Sequence, residues 1–214
     1  MRTIERIFCN NVKKYYQNTE INEAASSISI VNNEKLNVSI TFPIQKLGGD
    51  VILRYILCIC FNEIEDQWLQ YREELLYSPT NAQTLYITTE RFDTEKFDFQ
   101  GLNLSKYGHQ NWEEIFDKLQ KEYTIPLVNK YSDIIEVDQI INPIDKDVPY
   151  IIKTSEGYPF RAVLVAKMAN NPRLPEIIND MRNYCQESYE MGIKDNYIPA
   201  TKLLPVFKKM FEPK

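Results

Sequence analysis

Carboxylates dominate the few residues of this chain that could do chemistry. His109 is the one histidine among 214 residues. A metal centre built on several imidazoles is therefore excluded, and a Ser–His or Cys–His engine would have to run through this position. Its surroundings, Tyr107-Gly108-His109-Gln110-Asn111-Trp112, read as a loop entering a helix cap. A hydrogen-bonded loop histidine is the simpler expectation there than a catalytic base. The six glycines, at 48, 49, 101, 108, 157 and 192, fit neither G-x-x-x-x-G-K-[ST] nor G-x-G-x-x-G, so neither phosphate-cradling loop is available. G-x-S-x-G, H-E-x-x-H and paired C-x-x-C patterns are also missing.

Three groups of acids stand close in sequence. Asp93, Glu95 and Asp98 share one short stretch, and Asp145 and Asp147 flank Lys146. Glu136 and Asp138 fall on one side of an expected strand, where two carboxylates could share a hard cation such as Mg²⁺. Acids alternating with apolar residues also arise in any strand with one solvated face, so neither metal nor cofactor is assigned. Cys9, Cys58, Cys60 and Cys185 are too widely spread for a small disulfide framework. They read as free thiols in a reducing, cytoplasmic compartment, Cys58 and Cys60 buried within an apolar run.

Charge is more informative than any motif. The net charge is −5, which argues against general nucleic-acid binding, since that needs a basic face. Residues 90–147 hold 13 acids against 7 bases, while residues 148–214 hold 7 against 10. The acidity thus sits in the middle of the chain, interleaved with aromatics in Phe92-Asp93, Phe97-Asp98-Phe99 and Trp112-Glu113-Glu114. Most aromatics serve a core, but an acid-rimmed aromatic cluster suits a basic protein partner. The expected partner-binding residues are Asp93, Glu95, Asp98, Glu113, Glu114 and Asp117 for steering, with Phe97, Phe99 and Trp112 as anchors. The expectation is a non-enzymatic partner-binding protein, sharpest as a bacterial immunity-type protein that neutralises a basic toxin domain. An enzyme of unfamiliar type using carboxylates, with or without a metal, is the alternative, as is a phage or mobile-element accessory protein.

The elements that must position these residues are read from hydrophobic period. Thr3–Asn18 carries apolar residues at helical spacing. Residues 26–31 and 36–42 alternate with period two around Asn32-Asn33-Glu34, which predicts a β-hairpin with Ile28, Ile30, Val38 and Ile40 inward. Val51–Phe61 is apolar on all sides and is taken as strand, holding Arg54 and being too short to cross a bilayer. A helix is expected from Glu63 to Tyr77 and a strand over Thr84–Glu90, with residues 92–108 irregular. Asn111 should cap a helix starting at Trp112. Ile134–Ile141 and Tyr150–Lys153 look like strands, and Phe160–Ala169 like a helix. Further helices are expected from Pro175 to Gly192 and from Thr201 to Phe211. No apolar leader follows Met1-Arg2-Thr3-Ile4-Glu5-Arg6.

Strands and helices come in runs, not in βαβ alternation. The expected class is therefore α+β: a mainly antiparallel sheet with helices packed on one face. An N-terminal helix precedes a β-hairpin, and the last third is helical. Residues 1–214 read as a single domain, with 142–149 as the candidate subdomain boundary.

Overall fold

The structure is a computed structural model that describes residues 3–77, 84–88, 102–106, 111–144, 148, 157–193 and 198–212. In chain order its main elements are α1 (Thr3–Lys13), β1 (Glu20–Asn22), β2 (Ser27–Asn32), β3 (Leu36–Thr41), β4 (Ile44–Leu47), β5 (Asp50–Leu53) and β6 (Ile56–Phe61). There follow α2 (Asn62–Leu69), β7 (Leu85–Thr88), β8 (Leu102–Asn103), α3 (Trp112–Leu119), α4 (Ile125–Tyr131), α5 (Ile134–Ile141), α6 (Tyr158–Met168), α7 (Leu174–Met191) and α8 (Ala200–Phe211). The fold is α+β, with an N-terminal helix, antiparallel strand pairs and a helical C-terminal region. The chain divides into two compact units, one of residues 1–60 with 85–130, the other of residues 61–84 with 131–214. Residues 142–149 lie inside the second.

In the first unit, one sheet has the order β1-β2-β3-β6-β7 and a smaller one the order β4-β5-β8. The β2–β3 hairpin forms as the alternation predicts, with Ile28 opposite Ile40. Ile28, Ile30, Val38 and Ile40 are all buried. Its tip is closed by Asn33, whose side-chain oxygen accepts from the amides of Lys35 and Leu36, both at 2.9 Å. A bulge between Ser29 and Val31 shifts the register. The run from Val51 is two strands rather than one, interrupted at Arg54-Tyr55. Phe8 of α1 packs on Phe42 and edge-on against Phe116 of α3, at 4.8 and 5.2 Å between centroids. Cys58 is buried and Cys60 only half-buried, which corrects the expectation for Cys60. Burial pushes both the Cys9 and Cys58 thiols up to about 11.

Asn111 does occupy the cap position of α3, but its side chain makes no capping bond. After α3 the backbone loosens into a π-helical turn over Gln120–Thr124 before α4. Pro126 supplies the reason: it has no N–H to give the carbonyl one turn back, and its ring crowds that carbonyl.

The described residues of the second unit are mainly helical. α6 is buried on every side from Tyr158 to Ala166, the mark of a central helix. α7 starts with Pro175 in its first turn and ends at Gly192, whose φ of 64° supplies the left-handed cap. The strand expected over Ile134–Ile141 is instead helix α5. Its β-branched residues suit a strand, yet Asp133 caps it by accepting from the Ile135 amide at 2.9 Å. Val137, Asp138 and Ile141 then bury at helical spacing. The strands expected at 89–90 and at Tyr150–Lys153 lie outside the described residues.

Candidate functional site

The structure separates the residues singled out by the sequence. Asp93, Glu95, Phe97, Asp98, Phe99, His109, Asp145 and Asp147 lie outside the described residues. Trp112 is buried, 7% exposed, and its indole N–H points to the Leu104 carbonyl at 3.4 Å. It anchors α3 to its own unit and is not presented as a surface anchor. Glu113 and Glu114 are exposed in the first turn of α3, where acids also complement the helix dipole. Glu113 lies 3.8 Å from the Lys14 ammonium. Asp117 is committed locally: it accepts from the Tyr15 hydroxyl and pairs with Lys121 at 2.7 Å. These bonds, that of Lys121 first and then that of Tyr15, hold the Asp117 carboxyl below its usual range.

Glu136 and Asp138 do not share a cation. On a helix they stand about 200° apart around the axis, and only Asp138 is buried. Among the described residues no three His, Cys, Asp or Glu side chains are grouped to hold a metal ion. No helix among them is long and apolar enough to cross a membrane.

Two carboxylates buried in the second unit carry its polar chemistry. Glu65 of α2 is 2% exposed and accepts four bonds. Arg161 of α6 reaches it with Nε at 2.8 Å and Nη2 at 2.7 Å, a bidentate pair. The Trp68 indole and the Thr84 hydroxyl supply the other two, each at 2.9 Å. Thr84 in turn accepts from the Phe61 amide at 3.0 Å, and the Arg161 guanidinium lies 5.0 Å over the Trp68 ring. Trp68 is stacked with Phe160 and Tyr77 at 6.0 and 5.7 Å. This cluster is closed, with every carboxylate lone pair engaged.

Asp138 sits differently, in the wall of a cleft of about 460 Å³, within the volume range of ligand sites. Its two oxygens accept from side-chain amides, Asn142 at 2.7 Å and Asn171 at 2.6 Å. Asn142 also donates to the Ala162 carbonyl at 2.9 Å. Among the described residues no Lys or Arg comes within ion-pair distance of Asp138. Arg173 borders the same cleft, but its guanidinium is held by Glu176 at 2.7 Å and turned to the Pro143 carbonyl at 3.5 Å. Ile135, Pro143, Ile144 and Pro172 form the apolar border, with Ile135 53% and Ile144 76% exposed.

The backbone that shapes this cleft comes from two helix ends. α5 stops at Asn142, and α6 stops in a left-handed turn at Asn170, with φ 54°. The Asn171 amide then bonds back to the Ala166 carbonyl at 2.9 Å, the six-to-one closure of a Schellman ending with asparagine in the glycine's usual place. One part was legible from sequence: Asp133-x-x-Glu136 ahead of an apolar run is a capping-box pattern for α5. Compared with protein-family models, with curated protein sequences and with solved structures, the chain matches none.

Proposed function

We propose that this chain is a partner-binding protein of the cytoplasm whose partner is a protein with a basic surface. In its sharpest form it is an immunity-type protein that occludes a basic toxin domain. The observation that carries this reading is the concentration of acid in the middle of the chain, 13 acids against 7 bases over residues 90–147. Glu113 and Glu114 from that stretch stand exposed on the first turn of α3. Surface acids of one sign raise the rate at which a basic partner is met, and salt screens the effect. Asp117, tied to Tyr15 and Lys121, contributes less to such a field than Glu114.

The test starts from a partner captured on the immobilised full chain at low salt, followed by stopped-flow association of the purified pair. Association should slow as ionic strength rises. It should also slow, with weaker binding, in a triple variant Asp93→Lys, Asp98→Lys, Glu114→Lys whose thermal unfolding matches the parent. An on-rate indifferent to both salt and the triple variant overturns the proposal.

A further inference from the structure

The cleft beside Asp138 has a charge character of its own. Arg173 and Glu176 form a pair 2.7 Å apart and largely cancel. Asp138 is 7% exposed and is met by two neutral amide donors; Arg173 feels its charge through space but makes its ion pair with Glu176. A carboxylate can accept about four hydrogen bonds, so the group has unused capacity where it borders the cleft. The backbone adds to this field. The cleft lies at the C-terminal ends of α5 and α6, bordered by Asn142 and Pro143 from one and Ala169, Asn170 and Asn171 from the other. Helix C-termini carry partial negative charge and favour cations, while the N-terminus of α7, capped at Arg173 on the same border, acts in the opposite sense. The border is apolar, through Ile135, Pro143, Ile144 and Pro172.

We propose that this cleft seats one lysine or arginine side chain of a basic partner chain. The aliphatic stem lies against Ile135, Ile144, Pro143 and Pro172, and the cationic head points toward Asp138. Long basic side chains combine an apolar stem with a charged tip, and the cleft offers the complement of each. An anion would meet the Asp138 charge, while the cation on the border, Arg173, is already held by Glu176. A neutral apolar ligand would fill the border and leave the carboxylate without a partner. The inference takes from the proposed function only that the partner is basic, and it places a contact in a different part of the chain from Glu113 and Glu114.

Octalysine is the probe, titrated calorimetrically into the full chain at low ionic strength. Binding should weaken by about tenfold or more in Asp138→Asn, the loss of one buried charged contact. It should weaken similarly in Ile144→Lys, which places a competing cation on an exposed part of the border and keeps the test decisive if Asp138→Asn folds poorly. n-Butylammonium chloride should displace the peptide, whereas n-butanol should not. Equal octalysine affinity in the parent, Asp138→Asn and Ile144→Lys overturns the proposal. So does displacement by butanol as effective as by butylammonium. Because octalysine reports on the cleft without the natural partner, failure of the stopped-flow salt test leaves this result standing, and the converse also holds.

Discussion

Glu65 and Asp138 are both buried carboxylates of one helical unit, and they are satisfied in opposite ways. Glu65 receives two bonds from a guanidinium, one from an indole and one from a hydroxyl. Its charge is cancelled where it stands. Asp138 receives two amide bonds, which orient it without cancelling its charge. Burying an ion is costly, and a partner removed from a buried pair leaves that cost uncompensated. The difference therefore separates a charge that holds α2 to α6 from one that faces a cleft.

Breaking the closed cluster should give the largest effect. Arg161→Leu leaves Glu65 buried and unpaired and should cost about 3–5 kcal/mol, read by denaturant unfolding. The double variant Glu65→Leu, Arg161→Leu should recover much of that loss, because an apolar pair of similar volume removes the stranded charge. A double variant as unstable as the single would mean that packing around Trp68, not charge, explains the cost.

The next effect tests how rigidly Trp68 holds its indole donor. Gly157 sits before α6 with φ 69°, and a Cβ there would lie 3.0 Å from Trp68 Cη2. Gly157→Ala thus combines left-handed strain with a crowded ring and should cost about 1–3 kcal/mol. Trp68 fluorescence should shift with it. A stable variant with unchanged emission would show that the ring yields freely and that the Glu65 cluster is softer than its geometry implies.

The open carboxylate should respond less. Asp138→Asn keeps the shape but replaces one acceptor with a donor facing an amide, so about 1 kcal/mol is expected. Asn171→Ala should cost a similar amount, and the two together less than their sum, since they share one bond. Strict additivity would argue that the Asp138–Asn171 bond contributes nothing, and that the α6 ending stands on its backbone alone.

The two carboxylates were not equally legible in the sequence. Period-two alternation around Asn32-Asn33-Glu34 predicts the hairpin because both strand faces and the turn chemistry agree. Helical period likewise predicts α3, α7 and α8. Ile134–Ile141 misleads, because isoleucine and valine favour strands locally while the Asp133 cap and the burial of Val137 and Ile141 favour helix. Reading α5 as a strand put Asp138 on the same side as Glu136 and hid its place at a helix end. Trp112 looked like an anchor because an aromatic beside two acids has the composition of an interface. Only its position on the inner side of α3 shows that it serves the core. Glu65 misleads as well: helical spacing from Glu63 puts it with Asp66, Glu73 and Glu74 on the polar face, yet it is buried against Arg161, 96 residues away.

A third carboxylate, Asp117, sets the lower end of the series. It lies at the surface of α3, with the Lys121 ammonium and the Tyr15 hydroxyl holding its carboxyl below the ordinary value of 3.8. A folded-state value lower than the unfolded one means that its contribution to stability is present above the unfolded value. That contribution is lost as pH falls through the folded value. Asp117→Asn should therefore lower the thermal midpoint slightly at neutral pH, and the gap from the parent should close in the acid range below the ordinary carboxylate value. Solvent and salt screen exposed pairs of this kind, so added salt should shrink the neutral-pH gap as well. Tyr15→Phe should remove part of the depression and leave the Lys121 part in place, which NMR titration of the Asp117 carboxyl would resolve. A gap that persists unchanged through acid pH would mean that Asp117 matters through packing against Tyr15 and not through its charge.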